Sequence, residues 1–190
     1  MLSEQQGLLL VRLARQTIEQ HLGTTPTRPV SETELAQPSL QEKRGVFVTL
    51  HKQGDLRGCI GSLAAVESIV DGIKRNALNA AFHDFRFNPV SVDELEQLQV
   101  EVSVLTEPVP LPYGKAEDLL HLLRPDQDGV ILEGPSHARA TFLPQVWQQL
   151  PTVEQFLGHL CRKAGLAETT WRSGNVRLST YQVQSFEEPR

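Results

Sequence analysis

Val46-Phe47-Val48-Thr49-Leu50-His51, then Lys52-Gln53-Gly54-Asp55, then Leu56-Arg57-Gly58-Cys59-Ile60-Gly61, is the stretch on which the fold turns. The first and third segments alternate at period two and the middle one carries turn chemistry, so together they read as a β-hairpin. Val46, Val48, Leu50, Leu56 and Ile60 all belong in a core. They share a face only if the connection holds an odd number of residues, such as a three-residue loop with a glycine bulge. In that register the opposite face carries Phe47, Thr49 and His51 beside Arg57, Cys59 and Gly61.

Two glycines within one short strand weaken it, so Gly58 and Gly61 mark a bulge or a place where something, a ligand among the options, comes close to the backbone. Arg57 and Cys59 stand two residues apart and therefore project from the same side, where a cation favours a thiolate. His51 lies diagonal to Cys59, near the edge of side-chain reach, and reads as an ordinary polar strand residue. Free cysteine is also among the most buried residue types, and a strand arginine often only guards an edge. Cys59 is thus either a reactive thiol or packing material.

Outward from the hairpin, helices and strands interleave. Ser3-Glu4-Gln5-Gln6 resembles a capping box ahead of Leu8, Val11, Ala14, Ile18 and Leu22, with Gly23 as the stop. Residues 24–45 hold Pro26, Pro29 and Pro38 and read as a long connection with one helical turn near Thr33-Glu34-Leu35. A second capping box at Ser68-Ile69-Val70-Asp71 starts a helix that ends near His83. A short helix runs from Ser91 through Leu98, and Val100, Val102 and Val104 form a half-buried strand. A helix from about Ala116 to Leu123, a hairpin of 129–133 with 138–142, a helix capped by Thr152 and stopped by Gly165, and one last strand over Val176, Leu178 and 181–183 follow. Cys161 sits beside Leu157 and Leu160 on that helix and reads as packing. The strands are joined by hairpins and proline-rich turns, which predicts an α+β fold with antiparallel or mixed sheets and helices packed on them.

Composition bounds function. With 190 residues, 39% of them hydrophobic and 22% charged, the chain makes one sizeable domain or two apposed lobes. A net charge of −5 argues against a broad nucleic-acid surface. The two cysteines, Cys59 and Cys161, have no paired spacing, so neither a disulfide framework nor a zinc motif is expected, and a cytoplasmic location fits. The acidic start at Glu4 and the short run Leu8-Leu9-Leu10-Val11 predict neither a signal peptide nor a membrane partner. No phosphate-loop, dinucleotide or metal motif occurs, so no cofactor and no metal are expected. Gly58-Cys59-Ile60-Gly61 has the GxxG form of a KH module but lies in a strand rather than between helices.

Five pieces in order, LRGCIGSL (56–63), Ala80-Ala81-Phe82-His83-Asp84-Phe85-Arg86-Phe87, Val102-Ser103-Val104-Leu105, FLPQV (142–146) and Lys163-Ala164-Gly165-Leu166 followed by Trp171, resemble the AMMECR family across nearly the whole chain. The resemblance implies a single domain over residues 1–190, with a larger and a smaller lobe and a cleft between them. Prokaryotic members often accompany a Memo-like protein and a radical S-adenosylmethionine protein, which implies these as partners in a shared pathway. The motif residues carried over are Arg57, Gly58, Cys59, Ile60, Gly61, Asp84, Arg86, Phe87, Leu143, Pro144, Gln145 and Lys163. The sequence departs at Phe85, where the family commonly has proline, and at Ala140-Thr141, where a glycine is frequent.

His83, Asp84 and Arg86 lie just past a helix end. They either cap that turn and pair with each other or bind substrate, since a guanidinium fork suits carboxylate or phosphate. Lys163 reads first as a helix-end charge. Two functions stay open. In one, Cys59 with Arg57 is catalytic, and Gly58, Gly61, His83, Asp84, Arg86 and Lys163 bind a small polar metabolite. In the other, the protein is a non-catalytic adaptor or scaffold for a partner protein.

Overall fold

Ser3 accepts a hydrogen bond from the Gln6 amide, and the Gln6 side chain accepts one from the Ser3 amide; this capping box starts the first helix. A computed structural model describes residues 1–189. Among them the α-helices are α1 (Glu4–His21), α2 (Glu32–Leu35), α3 (Ile69–Phe82), α4 (Leu119–Leu122) and α5 (Val153–Lys163). The strands are β1 (Val46–Lys52), β2 (Asp55–Ser62), β3 (Leu98–Leu105), β4 (Val109–Pro110), β5 (Gly129–Glu133), β6 (Arg139–Phe142), β7 (Arg177–Tyr181) and β8 (Val183–Glu187). The fold is α+β, with two four-stranded antiparallel sheets.

The contacts divide the chain into two units, one of Met1–Leu105 with the chain from Gln184 onward, the other Thr106–Val183. In the first, the sheet order is β2-β1-β3-β8. Its inner face carries Val46, Val48 and Leu50 of β1 with Val100, Val102 and Val104 of β3, all buried. Against it pack α1, through Leu10, Leu13, Ala14 and Ile18, and α3, through Ile69, Ile73, Ala77 and Ala80. The small residues of α3 let the helix lie close to the strands. The 24–45 connection makes the expected turn as α2, with Leu35 and Leu40 buried in the same core.

The last strand departs from expectation. Tyr181 and Val183 do not share one strand: β7 belongs to the second unit and β8 returns to the first, with the break at Gln182. Ser185 meets Ser103 at 2.9 Å and the Glu188 amide donates to the Val100 carbonyl at 3.0 Å, so β8 runs antiparallel to β3. Its polar sequence hides it, because Phe186 is its one fully core-facing anchor, lying where a side chain on Gly7 would stand.

In the second unit the sheet order is β4-β7-β5-β6. Trp147 stacks on Phe156 of α5 at 3.7 Å between ring centroids and donates its indole N–H to the Asp128 carbonyl at 2.7 Å. Cys161 is fully buried in this core, as its helical spacing predicts. The ends of the unit are clasped together. The Thr106 amide donates to the Gln182 carbonyl at 2.8 Å and the Gln182 amide to the Thr106 hydroxyl at 2.9 Å.

The hairpin forms by a different route from the one expected. Lys52 pairs with Asp55, so the loop is the two residues Gln53 and Gly54, with φ of 55° and 90°, the left-handed pair that a two-residue hairpin turn requires. The odd residue comes later. Leu50 pairs with Gly58 and His51 with Leu56, which leaves Arg57 as a bulge. Ile60 therefore still joins Val48 on the core side, but Leu56, which precedes the bulge, falls on the outer side and is 43% exposed.

Candidate functional site

Cys59 lies on the edge strand of its sheet, and the groups that complete that edge are side chains. Asp84, two residues past the end of α3, accepts the Cys59 amide at 2.9 Å. The same carboxylate accepts the Arg86 amide at 3.2 Å, Nε at 2.9 Å and Nη2 at 2.7 Å, and Arg86 Nη2 donates to the Cys59 carbonyl at 3.2 Å. Asp84 and Arg86 thus satisfy both backbone groups of Cys59 as a further strand would, and close the edge there. The Asp84 side chain is 2% exposed, shielded by this ring of partners rather than by depth. The Arg86 hydrogen bonds hold its carboxyl well below the usual carboxylate range, against the opposing effect of burial, with help from the Cys59 and Arg86 amides. Arg86 is raised in turn, chiefly by Asp84, with a smaller contribution from Cys59.

Arg57 does not stand beside the thiol as alternation implied, because the bulge turns it away. Its Nε and Nη2 donate to the Glu94 carboxylate at 3.1 and 3.0 Å, and Nη2 also reaches the Asn88 carbonyl at 2.9 Å. Glu94 further accepts Lys52 Nζ at 2.9 Å and the Ser91 amide at 3.2 Å. Arg57 first, then Lys52 and Ser91, push its carboxyl down to about 2 despite desolvation. The Phe87 ring lies near both guanidiniums, 5.9 Å from Arg57 and 5.4 Å from Arg86. A carboxyl lowered in the folded state contributes stability above its unfolded value that is lost as pH falls toward the folded one. Glu94→Gln is therefore expected to cost about 1–2 kcal/mol at neutral pH after solvent screening, and its cost should vanish between about pH 4 and 2. Urea midpoints that differ equally at pH 6 and pH 2.5 would contradict this.

The thiol itself is half-buried on the outer face. Thr49, its directly paired neighbour on β1, donates its hydroxyl to Cys59 Sγ at 3.2 Å. On the same face His51 Nε2 lies 3.4 Å from Glu101 Oε2 of β3, and the Ser103 hydroxyl donates to Glu101 at 3.4 Å.

The glycines are explained by the chain itself rather than by a ligand's approach. A Cβ on Gly58 would stand 2.2 Å from the Ala80 carbonyl oxygen of α3, and one on Gly61 would enter the Phe47 ring at 2.2 Å. His83 is exposed and only its amide is used, donating to the Asn79 carbonyl at 2.9 Å. Lys163 belongs to the other unit, where it donates to the Thr141 carbonyl at 3.0 Å and sits 5.0 Å from the Phe142 ring centroid. Among the described residues no group of three or more His, Cys, Asp or Glu side chains is arranged to hold a metal ion, and no helix is long and apolar enough to cross a membrane.

A family model described as AMMECR1 matches residues 11–186. The chain belongs to the AMMECR1 family. It is 39% identical over 188 residues to a protein of Methanothermobacter thermautotrophicus, covering 98% of this chain and 96% of that one. It is 38% identical over 202 residues to a protein of Thermofilum pendens, covering 98% and 92%. The crystal structure of the uncharacterized protein PH0010 from Pyrococcus horikoshii matches with a TM-score of 0.77 at 36% identity, over 98% of this chain and 93% of that one. In this AMMECR1-family chain the first unit holds Arg57, Gly58, Cys59, Gly61, His83, Asp84 and Arg86; Asp84 and Arg86 meet Cys59, whereas Arg57 turns to Glu94 and the His83 side chain makes no hydrogen bond among the described residues. Thr49, Glu94 and Glu101 were not anticipated as part of the site. Alternation had put Thr49 on the face of Cys59, and that was the available signal. Glu94 and Glu101 arrive from separate segments.

Proposed function

We propose that Cys59 is a reactive thiol at which a small polar metabolite is bound or transformed. The supporting observation is the clamp: both backbone groups of Cys59 are held by the Asp84–Arg86 pair, so a half-buried thiol is fixed in place on a polar sheet face. Arg86 is the cation that meets an anionic part of the ligand, since its side chain is 43% exposed and its Nη1 makes no hydrogen bond among the described residues. Arg57, whose charge is taken by Glu94, stiffens the neighbouring bulge. The same reading keeps the pathway that the family resemblance implies, alongside a Memo-like and a radical S-adenosylmethionine protein, in a reducing cytoplasm suited to two free cysteines.

The adaptor reading is favoured by a single feature. Phe85, between Asp84 and Arg86, is 95% exposed, and an aromatic ring held out beside a rigid clamp suits a protein partner.

Iodoacetamide labelling read by peptide mass spectrometry separates the two. Cys59 is expected to label at about pH 7 faster than glutathione and far faster than Cys161, which is fully buried and whose thiol burial pushes up. Labelling of Cys59 no faster than glutathione would remove the thiol chemistry. A metabolite screen by thermal shift, with loss of the hit in Arg86→Ala, tests the binding half; no hit would leave the adaptor.

A further inference from the structure

The outer face of the first sheet carries more than the thiol. Cys59 pairs with Thr49, and Thr49 pairs with Glu101, so the three form one row across β2, β1 and β3. His51, two residues along β1 from Thr49, shares this face; it is diagonal to Glu101 across a regular pairing and faces Cys59 across the Arg57 bulge. His51 meets Glu101, with Nε2 at 3.4 Å from Glu101 Oε2. A carboxylate at Nε2 fixes the proton on that nitrogen and leaves Nδ1 as the lone-pair acceptor.

Resting on the reading of Cys59 as a reactive thiol, we infer that His51 is its base and Glu101 the residue that orients His51, a nucleophile, base and carboxylate laid across three adjacent strands. The Cys59 S–H bond breaks, the proton bonds to His51 Nδ1, and the resulting imidazolium is held by Glu101. The Thr49 hydroxyl, 3.2 Å from Sγ, donates to the thiolate. The thiolate then forms a sulfur–carbon bond to the electrophile as its leaving group departs with the bonding pair. Such pairs are commonly looser before substrate arrives, in keeping with the 3.4 Å contact.

Other charged groups around the pair are accounted for. Asp84 and Arg86, from the turn after α3, act on the backbone of Cys59 and pair with each other through Arg86 Nε and Nη2, leaving Nη1 toward the ligand. Lys52 and Arg57 are engaged by Glu94. By the pairing of Ser103 with Ser185, Glu187 of β8 continues the row beyond Glu101 and adds negative charge on that side of the imidazolium.

The test is the rate of Cys59 alkylation by iodoacetamide in the full chain, read by peptide mass spectrometry from about pH 6 to 9, in the parent, His51→Gln and Glu101→Gln. His51→Gln is expected to slow labelling at pH 7 roughly tenfold and to move the rise of the profile to alkaline pH, and Glu101→Gln to slow it about threefold. His51 and Glu101 are partly exposed, and circular dichroism melts confirm that each variant folds; Glu101→Gln, which keeps the side-chain volume, is the second reading should His51→Gln melt early. Fast labelling of Cys59 that His51→Gln leaves within twofold would overturn the base and leave the reactive thiol standing. Slow labelling of Cys59 in the parent chain would overturn both.

Discussion

Gly58→Ala is expected to lower stability by about 3 kcal/mol, the upper range for forcing atoms into a packed core. The added Cβ would lie 2.2 Å from the carbonyl oxygen of Ala80 and 3.2 Å from its carbon, and both belong to the backbone of α3. A flexible side chain could swing aside; a helical carbonyl moves only with its helix. α3 packs on β1 and β2 and supplies the chain that delivers Asp84, so pushing it outward also strains the clamp on Cys59. Gly158 in α5 provides the control, because a Cβ there meets nothing nearer than 3.7 Å. Gly158→Ala is expected to be neutral or to stabilise by up to about 1 kcal/mol through helix propensity. The check is the urea midpoint of each variant at constant slope. A Gly58→Ala protein within 1 kcal/mol of its parent would show that α3 is not seated as tightly as described.

Asp84→Ala is the second large effect, about 2–3 kcal/mol, because it orphans the Cys59 amide and strips Arg86 of its partner at once. Asp84→Asn keeps the volume and one acceptor, so it should retain part of that stability and change its pH dependence. The Asp84 carboxyl is lowered on folding, so its contribution is complete above the ordinary carboxylate range and fades as pH falls below about 4. In Asp84→Asn that portion of the acid slope should be missing. A variant whose stability falls with acid as steeply as the parent's would mean the carboxylate is not carrying the clamp.

The sequence made the secondary structure legible wherever periodicity and capping agreed. Ser3, Ser68 and Thr152 each cap the helix they were expected to cap, though Asp71 takes the Ser68 hydroxyl and not its backbone amide. The hairpin was legible in part. A two-residue turn followed by a bulge shifts Gly58, Cys59 and Ile60 by the same parity as a three-residue loop, so those positions came out on the expected sides. Leu56 and Arg57, before and within the bulge, did not. Alternation carries no information on where along a strand an extra residue is inserted. The role of Arg57 was misread for this reason, and Glu94, 37 residues away, is a partner that only tertiary structure supplies. Strand β8 escaped because Phe186 is the one buried residue of its five, and one phenylalanine makes no pattern.

The first unit joins segments that flank the second unit in the sequence, and this bears on the order in which it can be completed. Leu2 and Gln184 exchange two hydrogen bonds, Arg15 grips Glu188, and Phe186 covers Gly7. On a ribosome, α1 and β3 emerge before the whole second unit, and the residues that shield the free margin of β3 appear only after it. Until then that margin is an unsatisfied template for pairing with any extended chain nearby. The exposure ends only once β8 has emerged and docked on β3.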